Sequence, residues 1–102
     1  MPCYIIGEIE ITDAELMKTY LPLAQASKEK YGGRYVARGA TPQVLEGAPA
    51  KRINITEFDD VEAAMRWWNS PEFSAARKIR QRASNARVML VEGGGTGVIR
   101  EI

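Results

Sequence analysis

The chain contains no histidine. That absence removes imidazole from every mechanism: no Ser-His or Cys-His couple, no His-ligated zinc, no proximal histidine for haem. Cys3 is the single cysteine, so no internal disulfide can form and nothing argues for an oxidising compartment. Long apolar runs are missing too. No segment approaches the roughly 20 apolar residues of a membrane span, and the opening MPCYIIGEIEI has no basic lead. A cytoplasmic protein with no membrane partner is the expectation. Neither sign of charge dominates: 14 Lys and Arg against 13 Asp and Glu leave +1, too little to steer nucleic acid. The carboxylates are scattered without a repeated ligand spacing, so no metal site is expected. No cofactor is expected either. GGGTG near the end is neither a phosphate loop nor a dinucleotide fingerprint, because no Lys-Ser/Thr follows it and no helix opens there.

What is present fits one domain of 102 residues, with 45% hydrophobic and 26% charged residues. Cys3 to Ile11 alternates, placing Cys3, Ile5, Gly7, Ile9 and Ile11 on one face, the period of a strand. Thr12 with Glu15 three residues later forms a capping box, so a helix starts near Asp13 and buries Leu16, Tyr20, Leu23, Ser27 and Tyr31. Pro22 predicts a kink or break at Tyr20 to Leu21, and Gly32-Gly33 stops the helix. Arg34 to Ala40 and Arg52 to Phe58 read as an antiparallel pair of strands around a Gly/Pro loop. Pairing Thr41 with Lys51 sets Arg38 opposite Asn54 and Tyr35 opposite Glu57.

The stretch from Asp59 to Asn85 organises the rest. Asp59 caps a helix that buries Val61, Ala64, Met65 and Trp68, leaving Trp67 off the stripe. Ser70-Pro71 caps and begins its continuation. On a helical wheel Phe73, Ala76, Ile79 and Ala83 form an apolar stripe, and Arg80 falls inside it. Arg87 to Glu92 is a last strand, and residues 94–102 form a glycine-led tail beyond the domain of residues 1–93. Strand, helix, strand, strand, helix, strand is the split βαβ order of the ferredoxin-like α+β fold, with a four-stranded antiparallel sheet. Both helices on one face leave the other open, which predicts a homodimer.

The words KYGGRYVARG, VLEG, ITEFDDVEAAMRWWNSPEF, R-x-x-A-S and VMLVEG, in that order, resemble the domain-of-unknown-function family 1330 across Tyr4 to Gly93. The resemblance implies ferredoxin-like subunits paired as a dimeric α/β barrel. That superfamily includes cofactor-free monooxygenases, muconolactone isomerase-like enzymes, haem-degrading enzymes and stress-response proteins. It implies no particular reaction. The residues that recur in the resemblance are Arg38, Gly39, Glu57, Phe58, Trp68, Asn69, Ser70, Pro71, Phe73, Arg80 and Gly93.

Arg80 is the first candidate for a ligand site, because a guanidinium in an apolar stripe must find an anion. Either Glu57 is its internal partner, tying helix to sheet, or a ligand carboxylate is clamped by its fork. Arg38 joins it on a strand face with Asn54 and Thr56, or stands in water at a sheet edge. Asn69 and Ser70 offer donors at a helix start, although an N-cap role explains Ser70. Trp67 and Phe73 would supply apolar walls. Glu57 or a tyrosine is the candidate acid/base for cofactor-free proton abstraction or oxygenation. The run Arg77, Lys78, Arg80, Arg82 is better explained as a solvated helix face than as a nucleic-acid site, since the strands lack paired aromatics. The expected function is binding of a small carboxylate-bearing or polar aromatic molecule, with oxygenase or isomerase chemistry open. The alternative is a non-catalytic homodimer whose arginines are structural.

Overall fold

The computed structural model describes residues 1–93. The glycine-led tail of 94–102 lies outside the described residues. The elements follow as β1 (Cys3–Ile11), α1 (Ala14–Lys30), β2 (Arg34–Ala40), β3 (Arg52–Phe58), α2 (Val61–Trp68), α3 (Pro71–Ala83) and β4 (Ser84–Glu92). The strands form one antiparallel sheet in the order β2-β3-β1-β4. This is the ferredoxin-like topology that the element order predicts.

The sheet is open. β2 and β4 are its edges and do not pair with each other. The expected α/β barrel is therefore corrected to an open four-stranded sheet, since a barrel that side chains can fill takes about eight strands. The cytoplasmic expectation reduces to a narrower fact: among the described residues no helix is long and apolar enough to cross a membrane.

Alternation in β1 sends Cys3, Ile5, Gly7 and Ile9 toward the helices, where all four are buried. α1 and α3 pack together over this face. The core joins those strand residues to Met17, Tyr20 and Ala24 of α1, Ala64 and Trp67 of α2, and Phe73, Ala76 and Ala83 of α3.

Local sequence explains the boundaries, with several corrections. Asp13, one residue past the expected cap, accepts a hydrogen bond from the Leu16 amide at 3.0 Å and starts α1. The helix then runs unbroken through Pro22 instead of breaking there. Pro22 is exposed, so water can serve the carbonyl that its ring leaves unpaired. The buried stripe of α1 is Met17, Tyr20, Ala24, Ser27 and Lys28, with Leu23 turned out to solvent. Asp60, not Asp59, caps α2, accepting from the Ala63 amide at 2.8 Å.

The two tryptophans exchange their expected places. Trp67 is buried, whereas Trp68 is half-buried. The helix ends at Trp68, so only Ala64 and Trp67, one turn apart, reach the core. β4 begins at Ser84, directly after α3, rather than at Arg87.

Irregularities in β2 shift its register twice against β3, setting Arg34 opposite Glu57 and Tyr35 opposite Thr56. The expected facing of Tyr35 and Glu57 is thus moved by one residue. Gly39 sits in this segment with φ of 59°, a conformation that glycine adopts without strain. Its amide is held by the Asn54 side-chain oxygen. Gly33 is required for space: a Cβ there would lie 2.7 Å from Phe58 Cζ.

Candidate functional site: a cationic cavity under the first helix

A cavity of about 300 Å³ opens between α1 and the strands, lined by Ile9, Met17, Tyr20, Lys28, Arg38, Asn54 and their neighbours. A recess of about 30 Å³ continues toward α3, where Trp67, Phe73 and Arg80 join the lining. Ile9, Tyr20, Lys28 and Asn54 border both spaces, so the two adjoin.

Helical spacing sets the cationic groups. Tyr20, Ala24 and Lys28 follow at intervals of four along α1 and share its buried face. Ser27, beside Lys28, accepts a hydrogen bond from the Trp67 indole N–H at 3.0 Å and anchors that ring. Trp67 stacks on Phe73 with centroids 4.0 Å apart and on Phe58 at 5.4 Å, forming the apolar floor. On α3 the series Phe73, Ala76, Arg80, Ala83 is buried, with Arg80 only 5% exposed.

Lys28 is 6% exposed, and its ammonium lies 4.3 Å from the Tyr35 ring centroid and 5.5 Å from that of Trp67. Arg38 stands at the outer mouth. It stacks 4.8 Å over Tyr35 and donates to Gln25 Oε1 at 2.7 Å.

Among the described residues the ion pairs are Lys18–Glu15, Lys30–Glu72, Arg34 with Glu57 and Asp59, Lys51–Glu10 and Arg87–Glu8. None includes Lys28, Arg38 or Arg80. The electrostatics follow from that imbalance. Burial, then the charges of Arg38 and Arg80, pull the Lys28 ammonium down to about 8. Burial pushes the Tyr20 phenol up to about 12 against the opposing pull of Arg80. Tyr35 is likewise raised by burial, with Arg38 opposing. The result is a small, largely apolar chamber carrying positive charge and protonated phenols.

The residues singled out by sequence fall into two groups. Arg80, Phe73 and Trp67 line the inner recess, and Arg38 lines the outer cavity. Asn69, Ser70 and Glu57 are elsewhere. Asn69 is the exposed C-cap of α2. Ser70 is fully used as a cap, donating to the Trp67 carbonyl at 2.7 Å and accepting from the Phe73 amide at 3.1 Å. Glu57 follows the inward-facing Thr56 and so points to the opposite side of the sheet, where it accepts from Arg34 Nε at 2.8 Å. It raises the phenol of Tyr4 there, and the expected Arg80–Glu57 pair does not form. Lys28 is the group that sequence reading missed. Its only signal was the interval of eight from Tyr20 on the same helix face. Among the described residues no group of three or more His, Cys, Asp or Glu comes together to hold a metal.

Fold and cavity define the class: a ferredoxin-like α+β domain with a cationic chamber between its helices and its sheet. The chain belongs to the domain-of-unknown-function family DUF1330, whose model matches residues 2–94. No curated protein matches it in sequence. Among solved structures, methylated RPA0582, whose protein comes from Rhodopseudomonas palustris, is similar at 20% identity with a TM-score of 0.76, covering 95% of this chain and 84% of that one. SnoaB from Streptomyces nogalater, a cofactor-independent oxygenase, is similar at 14% identity and a TM-score of 0.67, over 94% of this chain and 96% of that one. A dimeric ferredoxin-like protein of unknown function from Bacteroides fragilis aligns at 15% identity and a TM-score of 0.61, covering 90% and 96%. At these identities the likeness is one of fold.

Proposed function

We propose that the chamber binds a small organic anion, a carboxylate carried on an apolar or aromatic body. The observation that carries this reading is a set of four cations outside every ion pair, Lys28, Arg38 and Arg52 on the cavity and Arg80 on the adjoining recess, with no facing carboxylate among the described residues. Buried charge of one sign is costly unless a counter-charge arrives, and a ligand supplies it. Arg80 at the inner end and Arg38 at the mouth are the anion-holding groups, and Trp67 and Phe73 are the walls. Neither Asn69 nor Glu57 reaches the chamber, so the phenol of Tyr20 takes the place of Glu57 as the candidate proton donor. SnoaB supports extending the reading to cofactor-free chemistry on such a ligand, with a raised phenol and a depressed ammonium as the available acid and base.

Self-association belongs to the same reading, through the open face of the sheet that carries Tyr4, Ile6, Ile55 and Met89; the dimeric ferredoxin-like neighbours support it. Light scattering reads it directly. A monomer at micromolar concentration removes the second copy from the picture.

The test of the chamber is thermal stability against benzoate, phenylacetate and malonate. At least one raises the melting temperature of the wild type, and the response disappears in Lys28→Met and Arg80→Leu. If Arg80→Leu does not fold, the exposed Arg38→Ala serves in its place. Equal responses in wild type and variants, or none in the wild type, exclude the anion site.

A further inference from the structure

We propose that Lys28 is a covalent ligand-binding residue, whose amine forms an imine with the carbonyl of a 2-oxo acid held in the cavity. This rests on the anion-binding reading above and narrows its substrate class.

Four observations carry it. Lys28 Nζ makes no hydrogen bond or ion pair among the described residues, although its residue is 94% buried, being 6% exposed. Among the described residues no fully enclosed side-chain nitrogen or oxygen lacks a partner, so this unpartnered nitrogen keeps some exposed surface, and Lys28 lines both spaces. Second, arginines border the two spaces that Lys28 lines, Arg38 and Arg52 the outer cavity and Arg80 the recess. A carbonyl beside a carboxylate matches an amine beside guanidinium groups. Third, the aromatic faces of Tyr35 and Trp67 lie 4.3 and 5.5 Å from Nζ. They stabilise a positive nitrogen there, and a protonated imine keeps that charge. Fourth, Tyr20 lines both spaces with its phenol held protonated, a donor for the carbonyl oxygen.

The chemistry balances without a co-reactant. The ammonium loses a proton, and the nitrogen lone pair attacks the carbonyl carbon. The carbon–oxygen π bond breaks as that oxygen is protonated, giving a carbinolamine. Protonation of its hydroxyl lets water leave, and a protonated imine remains: one ammonium and one carbonyl give one iminium and one water. Desolvation in an apolar pocket is an established way to make a lysine nucleophilic. With its ammonium at about 8, Lys28 is roughly one-tenth free amine at neutral pH, far above an ordinary lysine.

The experiment treats the full chain with pyruvate or phenylpyruvate and sodium cyanoborohydride at pH 7, then maps the reduced adduct by peptide mass. In parallel it measures melting temperature with lactate or phenyllactate, which carry the same carboxylate but cannot form an imine. Expected is one adduct at Lys28, labelled at least about ten-fold ahead of the exposed Lys18, Lys51 and Lys78, and absent in Lys28→Met. Labelling confined to exposed lysines, with the hydroxy acids still stabilising the protein, overturns the imine and leaves the anion site standing. No adduct at Lys28 and no stabilisation by any acid overturns both. Because the adduct is mapped in the wild type, the outcome does not depend on a variant folding.

Discussion

The two faces of the sheet handle charge in opposite ways. On the open face the charges near the strands are paired: Arg34 with Glu57 and Asp59, Arg87 with Glu8, Lys51 with Glu10. Water reaches all of them, and such pairs contribute little. On the helix-covered face, among the described residues, Lys28 and Arg80 are buried without an acid, and Arg38 at the mouth has only the neutral Gln25 as a side-chain hydrogen-bond partner. A fold under selection for stability alone has no reason to keep unpaired cations where desolvation is greatest. The contrast shows that burial on the covered face is not matched by pairing among the described residues, which is the feature the proposed anion site accounts for.

The sharpest way to break that contrast is to remove the floor of the chamber. Trp67→Ala takes away the ring that Phe73 and Phe58 stack on and costs about 3–5 kcal/mol in urea unfolding, far more than Tyr4→Ala on the open face. Equal losses on the two faces would erase the distinction.

Next comes the pH dependence of Lys28. Its folded ammonium titrates near 8, below the unfolded value of 10.5, so the penalty for burying the charge is fully present below pH 8. Between the two values the unfolded chain binds more protons, and stability rises with pH. The full span is on the order of 3 kcal/mol, and comparison with Lys28→Met cancels the tyrosines, whose unfolded phenols begin to titrate within this window. The wild type therefore gains stability from pH 8 to 10 relative to Lys28→Met, and parallel curves for the two proteins refute a buried ammonium.

A smaller effect is expected at Ser27→Ala, which strands the buried Trp67 indole N–H and costs about 1–3 kcal/mol. Chemical denaturation reads it, and a neutral result means that the indole finds water in the cavity. Smallest of all, Arg87→Ala on the open face leaves the melting temperature unchanged within error. A measurable loss there would mean that the outer pairs also carry weight.

How much of this was legible in the chain depends on the length scale of each interaction. The alternation of β1, the Ser70 cap before Pro71 and the stripe through Phe73, Ala76 and Ala83 are periodicities and caps, set by neighbours within one turn or one pleat. They were readable, and Arg80 stood out because its own helix placed it among apolar residues. The Trp67/Trp68 assignment failed because α2 has just eight residues. So short a helix does not fix its own rotation, which is settled by the Ser27 hydroxyl arriving from α1. Tyr35 moved from Glu57 to Thr56 because irregularities in β2 reset the strand parity. Glu57 was misplaced for the same kind of reason: only the sheet register decides which face an odd residue takes.

The sequence by itself determined the order of elements, their ferredoxin-like topology and the exclusion of imidazole chemistry, because each follows from composition or from short-range repeats along the chain. Tertiary structure alone decided that the sheet stays open, that Glu57 and Arg80 are on opposite sides of it, and that Lys28 borders both the cavity of Arg38 and the recess of Arg80. Those outcomes join residues 10, 42 and 52 positions apart. Only packing brings such distant cations beside one another around the cavity and its recess.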